Sequence, residues 1–213
     1  ARKLLFIIPK YAKVYTNIGA SYYSHAASFI AQFNAGTVDN CVVKKVLVDG
    51  KGVSHGIGGV FSPADSGSSG ITIKNTKAIN VYVYGGSCVS DFIEGPWDGQ
   101  CGAVTIENCA AVDGVAISTG GHSGGFTSCV RTNADNIKYK NCYTNVDVYG
   151  NTETGVFAGV THKGTHRFEN CYASGKIEGT NNIGGFVGVN SEGTQSVFTN
   201  CYSTSMVGMS NGG

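Results

Sequence analysis

Proline is scarce in this chain, three residues out of 213, and tryptophan occurs once, at Trp97. Charge is thin as well: 15 basic and 14 acidic residues are spread along the chain and leave a net charge of +1. No basic stripe forms, which excludes binding through nucleic-acid phosphates or to an anionic membrane surface. Long apolar runs are missing too. The longest, Leu4-Leu5-Phe6-Ile7-Ile8, stops at Pro9 and is too short for a membrane span or a signal-peptide core. No stretch sustains a helical period. Neither His-Glu-x-x-His nor Cys-x-x-Cys occurs. His162 and His166 stand four apart, but Lys163-Gly164-Thr165 between them reads as a turn, so no helix puts both rings on one face. His25, His55 and His122 are isolated. Gly56-Ile57-Gly58-Gly59 is glycine-rich but lacks the lysine and the strand-to-helix context of a phosphate loop. No metal and no cofactor is expected.

What the chain has instead is a repeat. Asn-Cys recurs at Asn40-Cys41, Asn108-Cys109, Asn141-Cys142, Asn170-Cys171 and Asn200-Cys201, and Asn75-Thr76 fills the gap in the series. The second members are spaced 35, 33, 33, 29 and 30 residues apart. Such self-similarity marks a chain that stacks one supersecondary unit on the next. Within a unit, short apolar runs such as Arg167-Phe168-Glu169 and Phe186-Val187-Gly188-Val189 are separated by Gly and Asn, which tolerate positive φ. The pattern predicts an all-β chain folded as a three-sided parallel β-solenoid, a right-handed β-helix of about six coils of roughly 30 residues. In such a coil each side chain sits about 4.8 Å above its counterpart, so like residues form ladders. Thirty-two glycines agree with many tight turns.

The repeat runs through nearly the whole chain, which makes one solenoid the simplest reading. Ser28-Phe29-Ile30-Ala31 aligns with Gly185-Phe186-Val187-Gly188, so residues 28–213 form the solenoid and 1–27 a divergent first coil or a capping strand. The chain opens at Ala1 and stops at Asn211-Gly212-Gly213, where earlier repeats pass from Gly-Gly into an apolar strand. The expectation is a segment of a longer polypeptide, its open end covered by further repeats or by end-to-end self-association.

The runs Asn170-Cys171-Tyr172-Ala173-Ser174-Gly175, Gly184-Gly185-Phe186-Val187-Gly188 and Asn200-Cys201-Tyr202-Ser203-Thr204 resemble the GLUG repeat of bacterial and some protist surface proteins. That repeat occurs in large adhesin-like proteins and in non-catalytic regions of immunoglobulin A-cleaving metallopeptidases. The chain departs from it at Phe186, where Leu is more usual, at Thr76, and over the irregular stretch 85–101. The resemblance implies a cell-surface or extracellular location, an adhesive or spacer role with surface glycans or host or neighbour-cell proteins as partners, and no catalytic residues.

Five of the eight cysteines belong to the Asn-Cys position, where a stacked small apolar side chain suits a solenoid core. Parallel Cβ vectors about 4.8 Å apart exceed the roughly 3.5–4.5 Å of a disulfide, so these thiols are expected to be unlinked. The asparagines beside them are expected to hydrogen-bond along the stack. Cys88 and Cys101 flank the irregular segment and are a candidate disulfide closing a surface loop, worth about 3 kcal/mol.

That segment gathers Asp91, Phe92, Glu94, Trp97 and Asp98, the candidate ligand-binding residues. An exposed Trp beside carboxylates stacks on a sugar ring and bonds its hydroxyls, whereas a packed Trp merely fixes the loop to the wall. Glycan hydrolysis needs two carboxylates about 5–9 Å apart across a groove. Asp91 or Glu94 with Asp98 are the only pairs to consider, and no second coil supplies a facing acid. Glu107, Glu169 and Glu178 read as a solvated outer face, and Lys74 and Lys77 are too scattered for a lyase. An ice-binding face is weaker still: Thr37, Thr72 and Thr105 align, but Ile137 and Arg167 fall near that position later. The leading reading is therefore a non-catalytic structural or adhesive rod. A carbohydrate-binding module or a glycan-cleaving β-helix using residues 85–101 is the alternative.

Overall fold

The computed structural model describes residues 12–15, 25–50, 56–63, 66–68, 70–95, 100–131, 136–191 and 193–209. These residues form short strands and turns, with no helix among them. Strands pair in parallel with their counterparts one coil away, so the chain is a β-solenoid. One ladder holds five strands, Ile57–Gly58, Val89–Ser90, Gly121–Gly124, Thr152–Gly155 and Asn181–Gly184, and the described residues make about five turns.

A coil is also more finely divided than three strands. The one opening at Val104 contains Val104–Glu107, then Ala110–Val112, Val115–Ser118, Gly121–Gly124 and Thr127–Arg131. They are gathered into four faces. The first stacks Gly36–Asp39, Ile71–Lys74, Val104–Glu107, Ile137–Lys140, Thr165–Glu169 and Gln195–Thr199. The second is the longest, built on Val42–Gly50 and Lys77–Gly85 and split in later coils into two short strands. Asp113, at a φ of 55°, makes one such split. The third face is the five-strand ladder above. The fourth stacks Thr127–Arg131, Ala158–His162 and Val187–Asn190, continued upward by single bridges from Thr127 to Ile93 and from Ile93 to Phe61. At the top, Ala12–Tyr15 adds a parallel strand to the second face against Val46–Asp49, and Ala26 bridges to Ile57.

The repeat is explained by the corner between the first two faces. Asn40, Asn75, Asn108, Asn141, Asn170 and Asn200 all adopt a left-handed backbone, with φ between 48° and 55°. Apart from glycine, Asn tolerates that region best. Each amide then bonds its neighbour: Asn108 Nδ2 donates to Asn75 Oδ1 at 3.2 Å, Asn141 to Asn108 at 2.9 Å, Asn170 to Asn141 and Asn200 to Asn170 at 3.0 Å. At the top, Asn75 donates instead to Asp39 Oδ1, at 2.8 Å. The next residue turns inward and donates two positions back: Cys109 to the Glu107 carbonyl, Cys142 to Lys140, Cys171 to Glu169. Thr76 makes the same bond to Lys74 through its hydroxyl at 2.7 Å, which is why Thr substitutes for Cys there.

Aromatic columns fill the core. Phe92, Phe126, Phe157 and Phe186 stack with centroids 4.6, 4.8 and 4.8 Å apart. Tyr139, Phe168 and Phe198 form a second column at 5.0 Å spacing, meeting the first edge to face. Each buried ring contributes about 1.5–3 kcal/mol through burial alone.

Glycine sets the approach of the third and fourth faces. A Cβ on Gly159 would lie 2.5 Å from the Ser128 carbonyl oxygen and 2.7 Å from that of Ser123. One on Gly188 would lie 2.6 Å from the Thr154 nitrogen. The two faces thus pack backbone against backbone, with room only for small side chains.

The proposed threonine row ends as expected, although one residue differs. Thr37, Thr72 and Thr105 are in register, followed by Lys138 rather than Ile137, then Arg167 and Val197. Ile137 sits one position earlier, buried in the core.

Candidate functional site

The segment 85–101 was the place to look for a ligand, and the structure puts much of it inside the molecule. Val89 pairs with Ile57 above and Ser123 below, and Ile93 bridges to Phe61 and Thr127, so residues 89–93 continue the coil. Asp91 and Phe92 are 0% exposed and Glu94 is 1% exposed. This corrects the surface-loop reading for these three: a side chain closed off from solvent cannot meet a glycan. Trp97 and Asp98 lie outside the described residues, so the pairing of either carboxylate with Asp98 does too.

The local reason is a disguised repeat. Later coils turn between the third and fourth faces through Gly124-Gly125-Phe126 and Gly184-Gly185-Phe186; this coil uses Ser90-Asp91-Phe92. The Asp91 amide donates to the Gly125 carbonyl at 3.3 Å, which places Asp91 at the second glycine. Phe92 joins the phenylalanine column. Both carboxylate oxygens of Asp91 are buried without a hydrogen-bond partner, and burial holds its pKa well above the ordinary 3.8. Burial thus favours the protonated form of Asp91, whose carboxyl group lies against Gly114.

Glu94 belongs to a polar cluster that no sequence motif announces. Ser62 Oγ donates to Glu94 Oε2 at 2.5 Å and lies 2.8 Å from His25 Nδ1, which is itself 3.2 Å from Glu94 Oε2. Serine, histidine and carboxylate together invite comparison with a nucleophilic triad. That arrangement requires the two ring nitrogens to face different partners, hydroxyl on one and carboxylate on the other. Here both meet Nδ1, and Ser62 is fully buried. The cluster satisfies a buried carboxylate; it does not present a nucleophile. Ser62 and Glu94 are 32 residues apart, one coil, and that spacing was the signal available in the sequence.

Three Gly-x-Ser-x-Gly strings also occur, at Gly52–Gly56, Gly121–Gly125 and Gly208–Gly212. Ser123 sits buried in the strand Gly121–Gly124, not on a strand-to-helix elbow; Ser54 and Ser210 lie outside the described residues.

Cys88 carries a free, buried thiol, and the candidate bridge to Cys101 involves a side chain outside the described residues. Cys41, Cys109, Cys142, Cys171 and Cys201 are likewise free. Glu107 pairs with Lys74 at 3.8 Å, and Glu169 with Lys138 and Lys140 at 3.7 and 3.6 Å, as on a solvated outer wall. His166 is buried with Nε2–H donated to the Lys163 carbonyl at 2.7 Å, and burial lowers its pKa. Among the described residues no three His, Cys, Asp or Glu side chains converge as metal ligands, and no helix is long and apolar enough to cross a membrane.

Among the described residues, the last coil carries a group of exposed apolar side chains. Val197, Phe198, Tyr202, Met206 and Val207 are exposed, and a recess of about 320 Å³ opens between Phe186, Val187, Phe198, Cys201, Tyr202 and Ser203. On the outer wall of the second face, Tyr143, Tyr172 and Tyr202 stack at 5.0 and 5.3 Å with their planes parallel. No family model, no curated protein and no solved structure matches the chain.

Proposed function

We propose that this chain is a non-catalytic structural or adhesive segment of a large extracellular surface protein, a stiff β-solenoid rod. The observation that carries this reading is the continuity of the asparagine ladder: one amide bond per coil from Asn75 to Asn200, with thiol and aromatic columns running beside it. A structure in which every coil templates the next gains stiffness with length and spends its side chains on stacking. The acids that would serve glycan cleavage support the same reading, since Asp91 and Glu94 are enclosed. The likeness of the Asn-Cys-Tyr and Gly-Gly-Phe runs to the GLUG repeat adds the surface location. The exposed ladder edges of the last coil are suited to further repeats or to a second copy stacked end to end, because parallel strands pair with any in-register neighbour.

The test is surface labelling. An antibody raised against the folded chain should stain intact source cells or the medium around them. Staining that appears only after permeabilisation would overturn the extracellular reading.

A further inference from the structure

We infer that the lower edge of the last coil takes the upper edge of a second copy of this chain, head to tail, and that the strand Ala12–Tyr15 is the chain's own competitor for that contact. The inference rests on the rod reading and names the partner of the rod's lower end. Both edges present apolar side chains. Val197, Phe198, Tyr202 and Met206 are exposed at the lower edge, around the recess of about 320 Å³. At the upper edge Phe29 is 52% and Val42 61% exposed.

The two edges match column by column. Phe29 N–H donates to the Val60 carbonyl and Val60 N–H to that of Phe92, which puts Phe29 at the head of the column that ends at Phe186. Phe186 lines the recess, so the Phe29 of a copy set one coil lower would meet it there. Val42 heads the outer-wall column that runs down to Tyr143, Tyr172 and Tyr202. The amide ladder supplies the direction. In each step from Asn75 to Asn200 the lower amide donates Nδ2 and the upper one accepts through Oδ1, so the ladder ends below on the acceptor of Asn200. Asn40 holds the same corner, φ 55°, and is exposed, because Asn75 donates to Asp39 instead. Its Nδ2 is the donor that would continue the ladder beneath Asn200. Two lower edges would set acceptor against acceptor, so the contact is heterologous and open-ended.

The competitor is read from the register. Val14 pairs with Val48, in the column that passes through Val83, Ala116, Val148 and Ile177 to Val207. Ala12–Tyr15 therefore lies along Val46–Asp49 where Met206–Met209 of another copy would lie. Stacking requires this four-residue strand to lift, while Gly36–Asp39 and Val42 are clear of it. A short strand of this kind blunts an edge that would otherwise pair freely.

The experiment is sedimentation velocity of the full chain over a concentration series, with the wild type and a Lys13→Pro, Val14→Pro double variant. Successive N–H groups of a strand point to opposite sides, so one of the two prolines removes a ladder donor. The double variant should form open-ended oligomers at a concentration about tenfold or more below the wild type. Phe29→Ser, at an exposed position, should reverse this. A short bifunctional thiol reagent should join the half-buried Cys41 of one chain to Cys201 of another, in the wild type at its highest concentration as well. Within one chain these thiols are five coil steps apart, about 24 Å, beyond such a reagent. A wild type without the Cys41–Cys201 link, a Cys201–Cys201 link in its place, or oligomers indifferent to Phe29→Ser would overturn the inference. So would a double variant that folds and associates no better than the wild type. The wild-type map stands even if that variant fails to fold. Stacking is read on purified chain, so its failure is distinct from failure of the surface location.

Discussion

The coils from Ile137 to Met209 and the coil from Ile71 to Gly95 solve one packing problem with different residues. In the later coils, successive residues in a column are nearly alike: Asn over Asn, Phe over Phe, and a glycine, Gly155 or Gly184, opening the turn. In the earlier coil, Thr76 stands for Cys, Ser90 for that glycine, and Glu94 is held by Ser62 and His25. Backbone register is the same in both regions. The comparison teaches that hydrogen bonding and φ at a few corners set the coil, while core positions accept exchange if the intruding polar group is neutralised or satisfied. Glu94 is satisfied by hydrogen bonds, and burial biases Asp91 toward its protonated form.

The largest effect should come from breaking the regular region. Phe157 touches Phe126 and Phe186 face to face and Tyr139 and Phe168 edge to face. Phe157→Ala should lose about 3–5 kcal/mol in denaturant unfolding. Phe198→Ala, at 45% exposure on the last coil, should lose well under half of that.

Next comes the close approach of the third and fourth faces. Gly159→Ala drives a methyl into the Ser128, Ser123 and Glu153 carbonyls, and should destabilise by about 1–3 kcal/mol. Gly208→Ala meets nothing nearer than 3.7 Å and should be close to neutral by the same assay.

The third prediction addresses the irregular coil. Asp91→Gly installs the residue found at the Gly125 and Gly185 turns and should raise stability by about 1–2 kcal/mol at neutral pH. The wild type should also show a definite pH trend. Below the ordinary carboxyl value of 3.8, Asp91 is protonated in both folded and unfolded chains and exacts no ionisation penalty. Above it the unfolded chain releases the proton while the folded chain keeps it, so this contribution to stability falls until the raised folded pKa is passed. Asp91→Asn should remove that slope from a series of melts between pH 3 and neutrality. His166 works in the other direction: its pKa is lowered by burial, so acidification below the ordinary 6.5 favours the unfolded chain, and His166→Gln should remove that component.

The smallest effect lies at the asparagine corner. Asn141→Gly keeps the left-handed turn but loses the amide bonds to Asn108 and Asn170; Asn141→Ala loses both. Thermal melts should place Ala below Gly, by about 1 kcal/mol.

The corner was legible because Asn-Cys is written out in the sequence at one coil's spacing, and each member makes a bond that few other residues make. Two readings of composition held for the same reason: unlinked ladder thiols and a solvated row of glutamates. The third and fourth faces were harder to see. Gly-Gly looks like an ordinary turn until the backbone contact at Gly159 and Gly188 is known. Residues 85–95 read as an interruption because Asp91 hides the turn signature, although Phe92 precedes Phe126 by one coil's length. The His25–Ser62–Glu94 cluster and the Cys88–Cys129 contact are assembled from different coils, and their members share no motif. Only a register assigned coil by coil brings them together.

Amide hydrogen exchange over residues 85–131 tests the central claim, an unbroken ladder through the irregular coil. Val60 N–H donates to the Phe92 carbonyl, Asp91 N–H to that of Gly125 and Ile93 N–H to that of Phe126. The account predicts that Asp91 and Ile93 exchange as slowly as Phe126 and Thr127 in the neighbouring coil. Exchange at the rate of an open loop across Val89–Glu94, with Gly121–Arg131 still protected, would contradict it and return that segment to the surface.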